Sequence, residues 1–230
     1  YAAAWEIVSP YLVNTIFVAV VGFVGVAVLS TIGAYVFAQM EFPFREALYY
    51  AIIMLLMVPW VISFIPAYML YAQFRLFDTP VKLLNTFWVL IIPNIAAGPV
   101  FGIFLLRAFF SGISKEIYEA ARVDGAGHWI LITRITVPLS LPAIATLTVI
   151  NFIGTWNSFL WPLVTISDQS KQVISVGLFQ LSNAYAKSGD SSVWGPLFAG
   201  YVIASIPLAL LFLALGKFYV EGLVESGLKV

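Results

Sequence analysis

The stretch EAARVDGAGHWILITRITVP, residues 119–138, sets four charged residues, a histidine and two glycines within the sixteen positions from Glu119 to Arg134, in a chain that is otherwise almost continuously apolar. The whole sequence is 62% hydrophobic and 10% charged, against roughly 45–50% and about 25% for an ordinary soluble domain. The charged passage therefore reads as a polar loop between membrane spans, and the runs around it decide the fold.

Five runs contain no Asp, Glu, Lys or Arg: 7–40, 47–74, 83–106, 135–167 and 191–216. The shortest has 24 residues, and about 20 suffice to cross the hydrocarbon as a helix. Barrel strands would be about ten residues of alternating polarity, a pattern these runs lack. The expected fold is an all-α integral membrane protein, a polytopic helical bundle with five spans near 11–38, 47–71, 84–108, 136–160 and 195–216. Pro10 is placed at the start of the first span. Pro59 and Pro66 are expected to kink the second, and Pro93, Gly98, Pro99 and Gly102 to make the middle of the third irregular. Residues 1–6 hold no basic residue, so no signal peptide is expected before the first run; the chain opens on Tyr1 rather than Met, so a further upstream segment that could include another span is expected.

Orientation follows Lys and Arg. If the gaps alternate sides, one side carries Arg45, Arg107, Lys115, Arg122, Arg134, Lys217 and Lys229, and the other Arg75, Lys82, Lys171 and Lys187. Seven against four places 119–138 and the C-terminus in the cytoplasm. Zero net charge gives no reason to expect nucleic acid, and the absence of cysteine removes disulfides, thiolate metal sites and cysteine nucleophiles.

Within the charged passage, Ser114 suits an N-cap, Glu116 the first turn and Gly125 a C-terminal stop. A helix of about ten residues is too short to persist alone. Ile117, Ala120, Ala121 and Asp124 share one face, with Glu119 and Arg122 beside it. A helix lying on lipid headgroups would carry bulky apolar residues opposite Lys and Arg; this one is alanine-rich and mixed in charge, which fits docking to another protein.

Glu119-Ala120-Ala121, three residues, Gly125, nine residues, Ile135, one residue and Val137-Pro138 resemble the EAA signature of permease subunits in bacterial type I ABC importers. Val137 stands where that pattern has Leu, and Ser114 where a proline is usual. WNSFLWPLV at 156–164, FDTPVKLLNTFWVLIIP at 77–93 and VEGLVESGLKV at 220–230 are similar to stretches of the carbohydrate-uptake group, the last to the tail of the maltose-type second permease.

The resemblance implies one ABC-type transmembrane domain over 1–230. It would have a cytoplasmic EAA loop at 111–134, an external loop at 165–194, a cytoplasmic tail at 217–230 and a sixth span upstream. It further implies a non-enzymatic permease subunit in a bacterial or archaeal cytoplasmic membrane. The implied partners are a second permease, an ATPase dimer that binds ATP and Mg, and an extracytoplasmic solute-binding protein. ATPase coupling would rest on Glu116, Glu119, Ala120, Ala121, Asp124, Gly125, Ile135 and Pro138. Glu119 would pair with a basic residue of the ATPase, Ala120 and Ala121 would allow close packing, and Gly125 would turn the chain back.

Asn151, Thr155 and Ser158 fall on one helix face, with Trp156 and Asn157 beside it. They are read either as lining for a polyhydroxylated solute or as bonds between helices. Trp60, Ser63 and Asn94 are further pathway candidates, while Trp161 and Trp194 suit the membrane interface. His128 has no sequence neighbours that make a metal or catalytic site and is expected at headgroup level. No catalytic residue, metal ligand or cofactor of this chain is expected, and the G-x-x-x-x-G-K-[ST] pattern is absent. The alternative function is an ion-coupled secondary transporter or channel for a small polar solute.

Overall fold

The structure, a computed structural model, describes residues 1–188 and 194–227. Its elements are α1 (Ala2–Gln39), α2 (Arg45–Met54), a 3₁₀ turn (Leu55–Met57), α3 (Trp60–Ala72), strands β1 (Arg75–Leu76) and β2 (Thr79–Pro80), α4 (Trp88–Ser111) and α5 (Lys115–Val123). There follow α6 (His128–Ile130), a π-helical turn (Leu131–Thr136), α7 (Val137–Leu139), α8 (Leu141–Trp156), α9 (Leu160–Thr165), a 3₁₀ turn (Gln169–Lys171), α10 (Ile174–Ser188) and α11 (Trp194–Gly227).

Helices α1, α4 and α11 are each long and apolar enough to cross a membrane, and two bent helix pairs supply up to two further spans. Five spans are thus accommodated, though two differ from the sequence expectation. The second span breaks at Val58–Pro59, in keeping with the kink expected at Pro59, whereas Pro66 sits inside α3 without interrupting it. The fourth bends by 79° where α7 meets α8 at Ser140, and α8 ends at Trp156 rather than near residue 160.

Two other expectations are corrected. Helix α1 begins at Ala2 and runs through Pro10. Helix α4 continues from Trp88 to Ser111 despite Pro93 and Pro99. A membrane helix loses one backbone hydrogen bond at each proline, and tight neighbours can hold it on course. Glycines supply that tightness: a Cβ on Gly33 of α1 would lie 2.7 Å from Ile103 of α4, and one on Gly102 of α4 would strike the Ser30 hydroxyl of α1.

The chain divides into two compact units. The first (Tyr1–Gly22, Val61–Asn94, Asn151–Ala214) has a core of Val8, Leu12, Phe152, Trp156, Ile174, Leu178 and Ile203. Its expected external stretch is a packed element rather than a loose loop. Asn14 donates to the carbonyls of Ser170 and Gln172 at 2.8 and 2.9 Å, and the Thr15 hydroxyl accepts from the Ile174 amide at 2.8 Å. Val173, Ile174, Val176 and Leu178 are buried. Asn85, in the left-handed region at φ 61°, accepts from the Asp168 amide at 2.9 Å. The Ser170 hydroxyl and amide, with Lys171 behind them, hold the Asp168 carboxyl below the usual carboxylate range. Residues 189–193 of that stretch lie outside the described residues.

Trp161 is tied into the first unit. Its indole donates to the Val89 carbonyl at 2.8 Å and its ring meets Phe64 and Tyr71 edge-on. Trp194 is 42% exposed and stacks on Phe198. The second unit (Phe23–Trp60, Ile95–Ile150, Leu215–Val230) is built around Tyr35, Leu106, Phe110, Tyr118, Leu131 and Leu147. The expected tail falls partly within α11, which runs to Gly227, and residues 228–230 lie outside the described residues.

Candidate functional site

Helix α5 forms as its local signals direct. The Ser114 hydroxyl accepts from the Glu116 amide at 3.3 Å, and Glu116 occupies the first turn. At the other end Gly125 adopts φ +85°. Its amide donates to the Arg122 carbonyl at 3.0 Å, and the Ala126 amide to the Ala121 carbonyl at 2.9 Å. This pair of bonds, with Ala121 and Ala126 packed on a common core, is a Schellman stop.

The helix is held to its own unit by Tyr118, which is 2% exposed. Its hydroxyl lies 2.9 Å from that of Thr136, which in turn donates to the Leu131 carbonyl at 3.0 Å across the π-helical turn. Ala121 turns inward beside it, so the shared outward face proposed for Ala120 and Ala121 is corrected. Tyr118 and Ala121, three apart, face the core, while Glu116, Ile117, Glu119, Ala120, Val123 and Asp124 are exposed. Ile135 is half-buried against the same core, and Pro138 is exposed just before the bend. The sequence reading missed Tyr118; its apolar ring at i, i+3 from Ala121 was the available signal.

His128 makes a contact that its sequence neighbours do not indicate. Its Nδ1 lies 2.9 Å from the Tyr35 hydroxyl. His128 helps wall a cleft of about 480 Å³ with Glu41, Lys115, Glu119 and Arg122.

The pathway candidates separate into groups. The Asn94 amide donates to the Thr155 hydroxyl at 3.1 Å, and Asn151 donates to the Asn94 carbonyl oxygen at 3.2 Å. Asn94, Asn151 and Thr155 thus bind α4 to α8, while the Asn151 side-chain carbonyl oxygen is buried with no partner among the described residues. A Cβ on Gly22 would sit 2.8 Å from the Asn94 amide nitrogen, so α1 also closes on this cluster.

Ser158 does not share their face, because α8 ends at Trp156; its carbonyl accepts from the Ser175 hydroxyl at 2.6 Å. Trp156 is buried and stacks on Phe152, with ring centroids 5.4 Å apart. Asn157 is exposed and donates to the Ile153 carbonyl at 3.1 Å. Both line a cavity of about 460 Å³ together with Phe159, Ser175, Tyr201 and Ser205. Trp60 and Ser63 are exposed and outside that cavity.

Comparison with known proteins converges on one family. Residues 28–223 match the family described as "Binding-protein-dependent transport system inner membrane component". The chain is 32% identical over 230 residues to the diacetylchitobiose uptake system permease protein of Streptomyces coelicolor, covering 99% of this chain and 72% of that protein. It is 34% identical over 216 residues to the osmoprotective compounds uptake permease protein of Synechocystis, covering 94% and 69%. Among solved structures it resembles a chain of a bacterial ABC transporter involved in the import of the acidic polysaccharide alginate, with a TM-score of 0.78, 25% identity and coverage of 93% and 76%. Fold, sequence motif and relatives agree: the chain is a multi-pass permease of the binding-protein-dependent transport system inner membrane component family.

Proposed function

We propose that this permease forms half of the translocation pathway of an ATP-driven importer for a sugar or related polyol, coupled to a separate ATPase through α5. The observation that carries the reading is α5 itself: a capped helix fixed inward by Tyr118 and exposing Glu119, Ala120 and Asp124 outward. A partner pushing on that face moves Tyr118, and Tyr118 bears on Thr136 ahead of the bend into α8. Residues 111–134 and the C-terminus are assigned to the cytoplasm on the charge asymmetry of the loops. ATP and Mg belong to the partner ATPase dimer.

Solute contact is assigned to the cavity that includes Trp156 and Asn157, because Asn94, Asn151 and Thr155 are engaged in joining helices. Its lining mixes aromatic and aliphatic side chains with Asn157, Ser175, Tyr201 and Ser205, and among the described residues carries no ionised group, which suits an uncharged polyhydroxylated solute. The likeness to a diacetylchitobiose uptake permease supports that class. A solute-binding protein is assigned to the face that includes α10, and a second permease completes the pathway.

The test is uptake into vesicles holding the permease pair and its solute-binding protein, with the ATPase present or omitted. Uptake of a labelled oligosaccharide only with the ATPase and ATP supports the reading. Uptake that persists without the ATPase under an ion gradient overturns it and makes the protein a secondary transporter.

A further inference from the structure

We infer that the α1–α2 loop, residues 40–44, is a second part of the ATPase-docking surface, with Glu41 acting beside Glu119 on the same partner. This rests on the reading of α5 as the docking helix and extends it to a segment that carries no part of the EAA signature.

The first argument is area. Nine residues at 1.5 Å each make α5 about 14 Å long, and one face of so short a helix falls well below the roughly 800 Å² per partner that a stable interface buries. More of this chain must be covered. The second argument is position. The cleft of about 480 Å³ has α5 on one side, through Lys115, Glu119 and Arg122, and the end of α1 with its loop on the other, through Gln39, Glu41 and Arg45. A partner that covers Glu119 from the cleft side therefore meets Glu41.

The loop is built to hold its shape. Gln39 donates to the Phe110 carbonyl at 2.7 Å, tying the end of α1 to the end of α4. Arg45 closes the loop by donating to the Met40 carbonyl at 3.1 Å and pairs with Glu46 at 3.1 Å. Arg107 pairs with the same carboxylate and lies over the Tyr49 ring. At the apex Phe44 takes φ 61° and leaves its side chain 81% exposed. A bulky residue pays a steric cost there, and the loop's closing bonds sustain it. A rigid, projecting aromatic beside a charged cleft is the composition of an interface anchor. The cleft sets Arg45, Lys115 and Arg122 beside Glu41 and Glu119, so the partner surface it fits is mixed in charge, with basic groups for the two carboxylates and an apolar recess for the Phe44 ring.

The chain has no cysteine, so single cysteines report position directly. In the assembled importer, Glu41→Cys, Glu119→Cys and, as an external control, Phe77→Cys are each treated with a short thiol-to-amine crosslinker. The expected result is an ATPase adduct from both Glu41→Cys and Glu119→Cys and none from Phe77→Cys. Glu41→Lys should also weaken retention of the ATPase about tenfold, and Glu41→Gln less. An adduct from Glu119→Cys alone, or a Glu41→Cys adduct with the second permease instead, overturns the inference and leaves the α5 reading standing. Adducts from neither site overturn both.

Discussion

The hydroxyl of Tyr118 lies 2.9 Å from that of Thr136, joining the exposed helix α5 to a π-helical turn 18 residues further along the chain. Thr136 spends its own proton on the Leu131 carbonyl, so Tyr118 is the donor and Thr136 the acceptor. Tyr118→Phe should cost about 1 kcal/mol, the usual net worth of one hydrogen bond. If this contact transmits motion, the variant also hydrolyses more ATP per solute moved than the parent. Thermal melting of the purified complex reads the first effect, and paired ATPase and uptake rates read the second.

Gly125 is a backbone requirement and not a packing one. Its φ of +85° is unfavourable to side chains, yet nothing lies within 4 Å of where a Cβ would stand. Substitutions should therefore rank by their tolerance of the left-handed region. Gly125→Asn is expected to be mildest, Gly125→Ala to cost about 1 kcal/mol, and Gly125→Val to cost most. Retention of the ATPase after solubilisation should fall in the same order. A ranking by side-chain volume alone, with Asn worse than Ala, would contradict this.

What could be read in the sequence, and what could not, divides along the range of the interactions. Helix α5 was legible to the residue at its start because Ser114, Glu116 and Gly125 act within one or two turns. Helix α4 was misjudged because whether Pro93 and Pro99 interrupt it depends on α1, whose Gly33 packs against Ile103. Ser158 was placed on a helical face that ends two residues earlier, at Trp156. Asn94 was a minor candidate, yet it receives Asn151 and donates to Thr155 across 57 and 61 residues of sequence. No local pattern encodes such a partner. The hydrophobic run lengths alone set the number of spans, because the hydrocarbon imposes them from outside.

That amide cluster is the next target. Asn94→Ala removes both bonds at once, and inter-helix hydrogen bonds in membranes average about 0.6 kcal/mol each, with about 1.7 at most. A loss of about 1–2 kcal/mol is expected. Asn94→Ala combined with Asn151→Ala should cost less than the sum of the two, since each loses the same contact. Unfolding in detergent measures the cycle; strict additivity would show that the residues do not interact.

The segment around residues 170–180 should loosen if its anchor is cut. Thr15→Val leaves the Ile174 amide buried without an acceptor, which costs about 1–3 kcal/mol, whereas Thr15→Ser keeps the bond. Amide exchange over residues 170–180 should quicken about tenfold or more in the valine variant only. The Asp168 carboxyl, held below the usual range, contributes its anchoring above the ordinary carboxylate pKa of about 4 and loses it as pH falls through the lowered value. Titration of Asp168 should accordingly leave protection of this segment unchanged near neutrality, where Asp168→Asn should exchange faster than the parent and match it only in strong acid.

Helix α5 as the contact through which ATP hydrolysis drives transport is most directly tested by Glu119→Arg in the reconstituted importer, with ATPase activity and solute uptake measured on the same vesicles. The account predicts normal membrane insertion, uptake reduced at least tenfold, and ATPase activity that no longer responds to the loaded solute-binding protein. Uptake and solute-stimulated ATPase activity equal to those of the parent would contradict it.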